Sequence, residues 1–71
     1  MKKINSSFKA VQLAKDILAK REKEGITYAV AEQQTGVYKS ILHRAESGLP
    51  ISLESLPKIC NWLGKPVQNY F

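Results

Sequence analysis

Apolar residues recur at three- and four-residue steps through Ala10, Leu13, Ala14, Ile17 and Leu18, with Phe8 and Val11 widening the stripe. That is the period of a helix packed on one side. Ser6 or Ser7 caps its start, and Gly25 stops it after a "KREKE" end. The next step of the stripe is Arg21. An arginine on a core-facing stripe needs a partner, because an unpaired buried charge is strongly destabilising. A second helix starts at Thr27, the cap of "YAVAEQQ", and stops before Thr35-Gly36. A third spans Val37 to Ser47, with Gly48 as its terminator. "GLPIS" is a loop, and a fourth helix carries Leu53, Leu56, Ile59, Cys60 and Leu63 on one face. Its cap is either Ser52 or Ser55, the second of which places Pro57 comfortably in the first turn. Gly64 ends that helix, and Pro66 opens a final short turn. No segment alternates with period two for long enough to make a strand. The pattern predicts an all-α bundle of four helices plus a C-terminal turn, in one domain spanning 1–71.

Composition narrows the function. Hydrophobic residues make up 44% of the chain and charged residues 24%, an ordinary balance for a folded domain. Eleven lysines and arginines against six acids give a formal net charge of +5, which suits a polyanionic partner without requiring one. A single cysteine, Cys60, excludes an internal disulfide or a multi-cysteine zinc site. Neither a signal peptide nor a membrane span is legible, so the cytoplasm is the expected compartment.

Most of the chemistry-bearing residues lie on the third helix. Tyr38, Leu42 and Ala45 fall on one side, and Lys39, Ser40, His43, Arg44 and Ser47 on the other. No acid interrupts that outer stripe, and Glu46 lies near its inward edge. A short helix after a glycine turn, polar and cationic outward, fits the major groove of DNA. Taken alone, the stripe describes a solvated helix face better than a DNA reader. His43 has no companion at metal-ligand spacing, so no metal is expected. Cys60 lies on an apolar stripe with no base beside it and reads as a core residue. With no paired carboxylates, nucleophile–base pair, phosphate loop or metal set, neither an enzyme, a cofactor nor a small-molecule ligand is expected.

The stretch "TGVYKSILHRAESG" resembles the recognition-helix block of the Cro/repressor-type (xenobiotic-response-element) helix-turn-helix family, T-G-V-S-x-S-T-L-S-R-x-E-x-G. Thr35, Gly36, Val37, Ser40, Leu42, Arg44, Glu46 and Gly48 match in place. Upstream, "LAKREKEGIT" is similar to the family's first helix and the start of its second; downstream, "SLESLPKICNWLGKPVQNYF" is similar to its fourth helix and the start of a fifth. The resemblance covers nearly the whole chain and implies a compact four-to-five-helix bundle of the lambda-repressor-like DNA-binding type. It also implies a partner for Arg21, namely Glu46, as a structural salt bridge. Three positions depart from the pattern. Tyr38 stands where the family has a capping serine. Tyr28 stands where it has a phosphate-gripping glutamine. "VAEQQTG" is one residue longer than "LAxxTG", which puts either Ala31 or Glu32 in the close-packed place. Ala31 with a longer turn is the better physics, since an acid at a helix crossing is costly.

The resemblance implies a sequence-specific double-stranded DNA-binding regulator, a small phage- or mobile-element-type repressor. Lys39, Ser40, His43 and Arg44 would contact bases. Thr27, Tyr28 and Tyr38 would hold phosphate through side chains or helix-end amides. Tyr28 and Tyr38 equally fit simple packing roles, and Ile41 fits either a thymine methyl or the contact with the second helix. Lys2, Lys3 and Lys9 would add backbone contacts from an N-terminal arm. A small module gains affinity by pairing on half-sites roughly 34 Å apart, which implies a homodimer on a palindromic operator. The expected interface is the "WLGKPVQNYF" end, with Trp62, Tyr70 and Phe71, although Trp62 also fits intramolecular packing and Tyr70 or Phe71 equally fits packing on the fourth helix. The competing class is a protein-interaction module, an adaptor or antitoxin docking a partner through the same aromatic end.

Overall fold

The computed structural model describes residues 8–71, so the caps expected at Ser6 or Ser7 and the arm lysines Lys2 and Lys3 lie outside the described residues. Helix α1 (Ala10–Glu24) begins at Lys9 without a side-chain cap, and Lys9 N–H instead donates to Tyr70 O at 2.7 Å. Its buried residues are Leu13 and Ile17, while Val11 is 65% exposed and Leu18 is also exposed. The core stripe is therefore narrower than the apolar spacing suggests.

Two eight-residue helices follow, α2 (Tyr28–Thr35) and α3 (Lys39–Glu46), joined by Gly36, Val37 and Tyr38. Thr27 caps α2, its hydroxyl accepting from Val30 N–H at 3.2 Å. The helix runs through Thr35 instead of stopping before it. Ala31 is fully buried and Glu32 half-buried, so the alanine holds the close-packed place. Gly36 takes φ +78°, a left-handed conformation that side-chain-bearing residues adopt only under strain. Thr35 stiffens the same corner by donating to Ala31 O at 2.8 Å and accepting from Val37 N–H at 3.0 Å. Val37 then enters the core.

The expected span of 37–47 for the third helix is too long at both ends. Val37 and Tyr38 belong to the turn, and Ser47 is the C-terminal cap. Beyond it, Leu49 N–H reaches back to Arg44 O and Gly48 N–H to Ala45 O, with Gly48 left-handed at φ +79°. Those two bonds satisfy carbonyls that the helix end would otherwise leave open.

Helix α4 (Ser55–Leu63) has Glu54 at its N-cap, so neither Ser52 nor Ser55 is the cap residue, although both bond at the helix start. Ser52 accepts from Ser55 N–H through its hydroxyl at 3.3 Å, and the two hydroxyls lie 3.1 Å apart. Pro57 therefore falls in the first turn, where its missing N–H costs no helical bond. Leu53 lies in the preceding turn and is 66% exposed, so it leaves the core face that its spacing suggested. A 3₁₀ turn (Val67–Tyr70) opens after Pro66 and brings Tyr70 into the core. The buried set joins Leu13, Ile17, Ala31, Val37, Leu42, Ala45, Ile51, Leu56, Ile59, Cys60 and Tyr70. Burial pushes the Cys60 thiol up, in keeping with a packing role. The described residues form an all-α bundle without strands, and none of their helices is long and apolar enough to cross a membrane.

Candidate nucleic-acid interface

Helix α3 is divided sharply along its length. Leu42 and Ala45 are buried, whereas Lys39, Ser40, His43 and Arg44 are exposed and share one side of the helix. Tyr38, expected on the core side, is instead 74% exposed at the N-terminal end of α3. It offers no side-chain cap to the helix. The capping is done from α2, where Glu32 Oε2 accepts from Lys39 N–H at 3.0 Å. Nothing in the local sequence announces this bond, because its partners are seven residues apart across a turn. The one available hint was the absence of a capping side chain at Tyr38.

The angle between α1 and α3 is held by Arg21. Its Nε donates to Glu46 Oε1 and its Nη2 to Glu46 Oε2, each at 2.9 Å, while Nη1 donates to Ile26 O at 3.2 Å. A planar guanidinium matches a carboxylate in this paired fashion, and the geometry gives direction as well as attraction. Only 19% of the Arg21 side chain and 9% of that of Glu46 is exposed. Burial pushes the Glu46 carboxyl up, but bonds from Arg21 and Tyr28 more than offset it and hold it below the ordinary glutamate value. Bonding to Glu46 likewise raises Arg21 above its usual value.

Tyr28 extends this joint to the outer face. The Arg21 guanidinium lies 4.1 Å from the centre of the Tyr28 ring, a stacking attraction in addition to the ion pair. On its other side the ring meets His43 at 5.4 Å, tilted by 59°. Tyr28 is half-buried, and burial together with the neighbouring Glu46 carboxylate raises its phenol above the ordinary value. Its ring is thus occupied in packing while it remains at the edge of the exposed face. Thr27 is exposed beside it, with its hydroxyl oxygen already accepting from Val30 N–H. Arg44 reaches across the end of α3 to donate to Pro50 O at 3.0 Å, which draws its head toward the α3–α4 loop. Arg44 is therefore directed to the C-terminal end of the face, whereas Lys39 is the first residue of the helix.

The C-terminal aromatics do not form a common surface. Tyr70, expected at an interface, is fully buried and donates from its hydroxyl to Asp16 Oδ2 at 2.6 Å. Lys65 Nζ lies 3.2 Å from the same oxygen. Burial, with the Asp16 carboxylate beside it, pushes the Tyr70 phenol strongly upward. Trp62 is half-buried, donating from Nε1 to Gln34 at 2.8 Å, with Lys20 Nζ 5.2 Å above its ring. Phe71 is partly exposed and packs against Phe8 at 5.4 Å. Another apolar surface lies elsewhere, in a groove lined by Val11, Ala14 and Leu18 of α1 and by Glu46, Ser47 and Gly48. Among the described residues no cluster of three or more histidine, cysteine or acidic side chains is placed to hold a metal ion. No family model, curated protein or solved structure matches this chain.

Proposed function

We propose that this chain is a sequence-specific double-stranded DNA-binding regulator of the Cro/repressor helix-turn-helix kind, with α3 as the element that enters the major groove. The observation that carries the reading is the face of α3. Lys39, Ser40, His43 and Arg44 are all exposed on a helix whose other side is locked into the core. A three-residue glycine-containing turn before it and the Arg21–Glu46 clamp behind it fix its direction. Reading base edges needs such rigidity, because a bidentate or single hydrogen bond discriminates only when its donor is aimed. The formal charge of +5 favours a polyanion as the partner.

Roles divide along the face. Lys39 and Ser40, at the N-terminal end, are base readers, since that end of a recognition helix goes deepest. Arg44, drawn toward Pro50, holds phosphate. His43 lies between them with its ring steadied by Tyr28. Thr27 stands at the start of α2, a helix end where phosphate is favoured, and Tyr38 reaches phosphate through its exposed phenol and not through the amides of α3. A second copy on a palindromic operator supplies the affinity that one small module lacks. That dimer uses surface other than Tyr70, which is committed to the core. The adaptor reading draws on the groove beside Val11 and Leu18 in place of the C-terminal aromatics.

Selection from a random duplex library tests the proposal. The expected outcome is an enriched motif that repeats with a spacing of about one helical turn, roughly 34 Å. Recovery of no preferred sequence, with binding to a protein partner that is insensitive to salt, would favour the adaptor.

A further inference from the structure

Glu32 is the acid nearest in the structure to the working end of α3. Its carboxylate accepts from the first helical N–H, that of Lys39, at 3.0 Å. No lysine, arginine or histidine nitrogen of the described residues lies within 4.0 Å of it; it shares this with Glu22 and Glu54, whereas Asp16, Glu24 and Glu46 are each paired with a cation. A negative charge with no cationic side chain beside it among the described residues therefore stands where a DNA phosphate is otherwise most favoured, against the positive end of a helix. A serine at Tyr38 would cap this helix without bringing any charge. The cap found here brings one.

Resting on the DNA-reading function above, we propose that Glu32 is a specificity-determining positioning residue. It bars backbone phosphate from the N-terminus of α3 and reserves that end for base edges. The chemistry is asymmetric. Phosphate oxygens only accept, so they are repelled by the carboxylate and lose the amide it occupies. Base edges include amino donors on cytosine and adenine, which a carboxylate tolerates or accepts. Sliding on arbitrary sequence relies on phosphate contacts and is weakened, whereas the preferred site retains its base contacts. Discrimination rises although total affinity falls.

Two variants separate charge from capping. Glu32→Gln keeps an acceptor oxygen for Lys39 N–H and removes the charge; Glu32→Ala removes both. The measurement is affinity for the selected duplex and for a scrambled duplex across a salt series, alongside the thermal midpoint. Glu32→Gln is expected to bind the scrambled duplex about three- to tenfold more tightly, with a salt slope steeper by about one unit. The ratio of specific to non-specific affinity falls correspondingly, and the midpoint stays near that of the parent. Glu32→Ala is expected to show the same loss of discrimination with a lowered midpoint. A Glu32→Gln protein with parental slope and ratio would overturn the inference and leave Glu32 as a cap alone. A parent that binds neither duplex overturns the DNA-reading function itself, and this inference with it.

Discussion

At the scale of single residues, the most consequential group is the Glu46 carboxylate, because two elements meet through it. Removing its partner leaves a side chain that is 9% exposed with a charge and no cation beside it. Arg21→Ala is therefore expected to destabilise the protein by about 2–4 kcal/mol, near the range for breaking a buried pair and reduced by partial exposure. Urea unfolding measures it, and a loss under about 1 kcal/mol would mean that the pair is solvated in solution. Acid provides a second test. Burial raises Asp16 and Glu46, but their hydrogen bonds win, from Tyr70, Lys65 and Gln12 for the first and Arg21 and Tyr28 for the second. Both carboxyls are thus more acidic folded than unfolded, so the unfolded chain takes up protons first as pH falls. Their stabilisation is complete above about pH 5 and is lost below about pH 4. The thermal midpoint should be level from pH 7 to about 5 and then drop, with a shallower drop in Glu46→Gln. A midpoint that rises on acidification would contradict the assignment.

Legibility at this scale followed the range of the interaction. Arg21 declared its need for a partner because it fell in phase with Leu13 and Ile17 on a stripe. Glu32 gave no such signal, since its bond to Lys39 depends on how the Gly36 turn folds back. Tyr70 was left between an interface and intramolecular packing for a related reason. An aromatic near a chain end suggests an exposed anchor, and only the 3₁₀ turn after Pro66 shows it directed inward onto Asp16.

At the scale of elements, periodicity located all four helices and left their ends uncertain. Val37 and Tyr38 share the spacing of α3 but are spent on the turn. Leu53 shares the spacing of α4 but precedes its first turn. In both cases helix ends are decided by caps and by the conformation of one or two residues, which an apolar repeat does not encode. Leu18 and Val11 went wrong differently, because a fifteen-residue helix in a small bundle has neighbours along only part of its apolar arc. The α2–α3 corner offers a direct check on the role of the turn. A Cβ at Gly36 would meet nothing within 4 Å, so Gly36→Ala carries only the backbone penalty of φ +78°. That amounts to about 1–2 kcal/mol. Chemical denaturation should show this loss without a change in denaturant slope, and an unchanged stability would mean that the turn relaxes.

At the scale of the whole molecule, three of the six acids are held in ion pairs. Asp16, Glu24 and Glu46 are each tied to a cation on the flanks of the bundle. The exposed face of α3 carries Lys39, His43 and Arg44 with no acid among them. Net charge was legible from composition, whereas which acids are paired, and that Glu32 stands at the start of the α3 face, required the fold. On the proposed function, the formal charge of +5 would attract DNA at long range and leave discrimination to a few aimed groups. The division between Lys39 and Arg44 tests this most directly, by affinity for the selected duplex and its single-base variants at several salt concentrations. Lys39→Ala should lose about 1–3 kcal/mol on the preferred site and relax preference at one base position. Arg44→Ala should keep the preferred sequence and reduce the salt slope by about one unit. If both variants bind the preferred duplex as tightly as the parent, with the same salt slope, α3 is not the reading element and the account of this protein as a DNA reader is wrong.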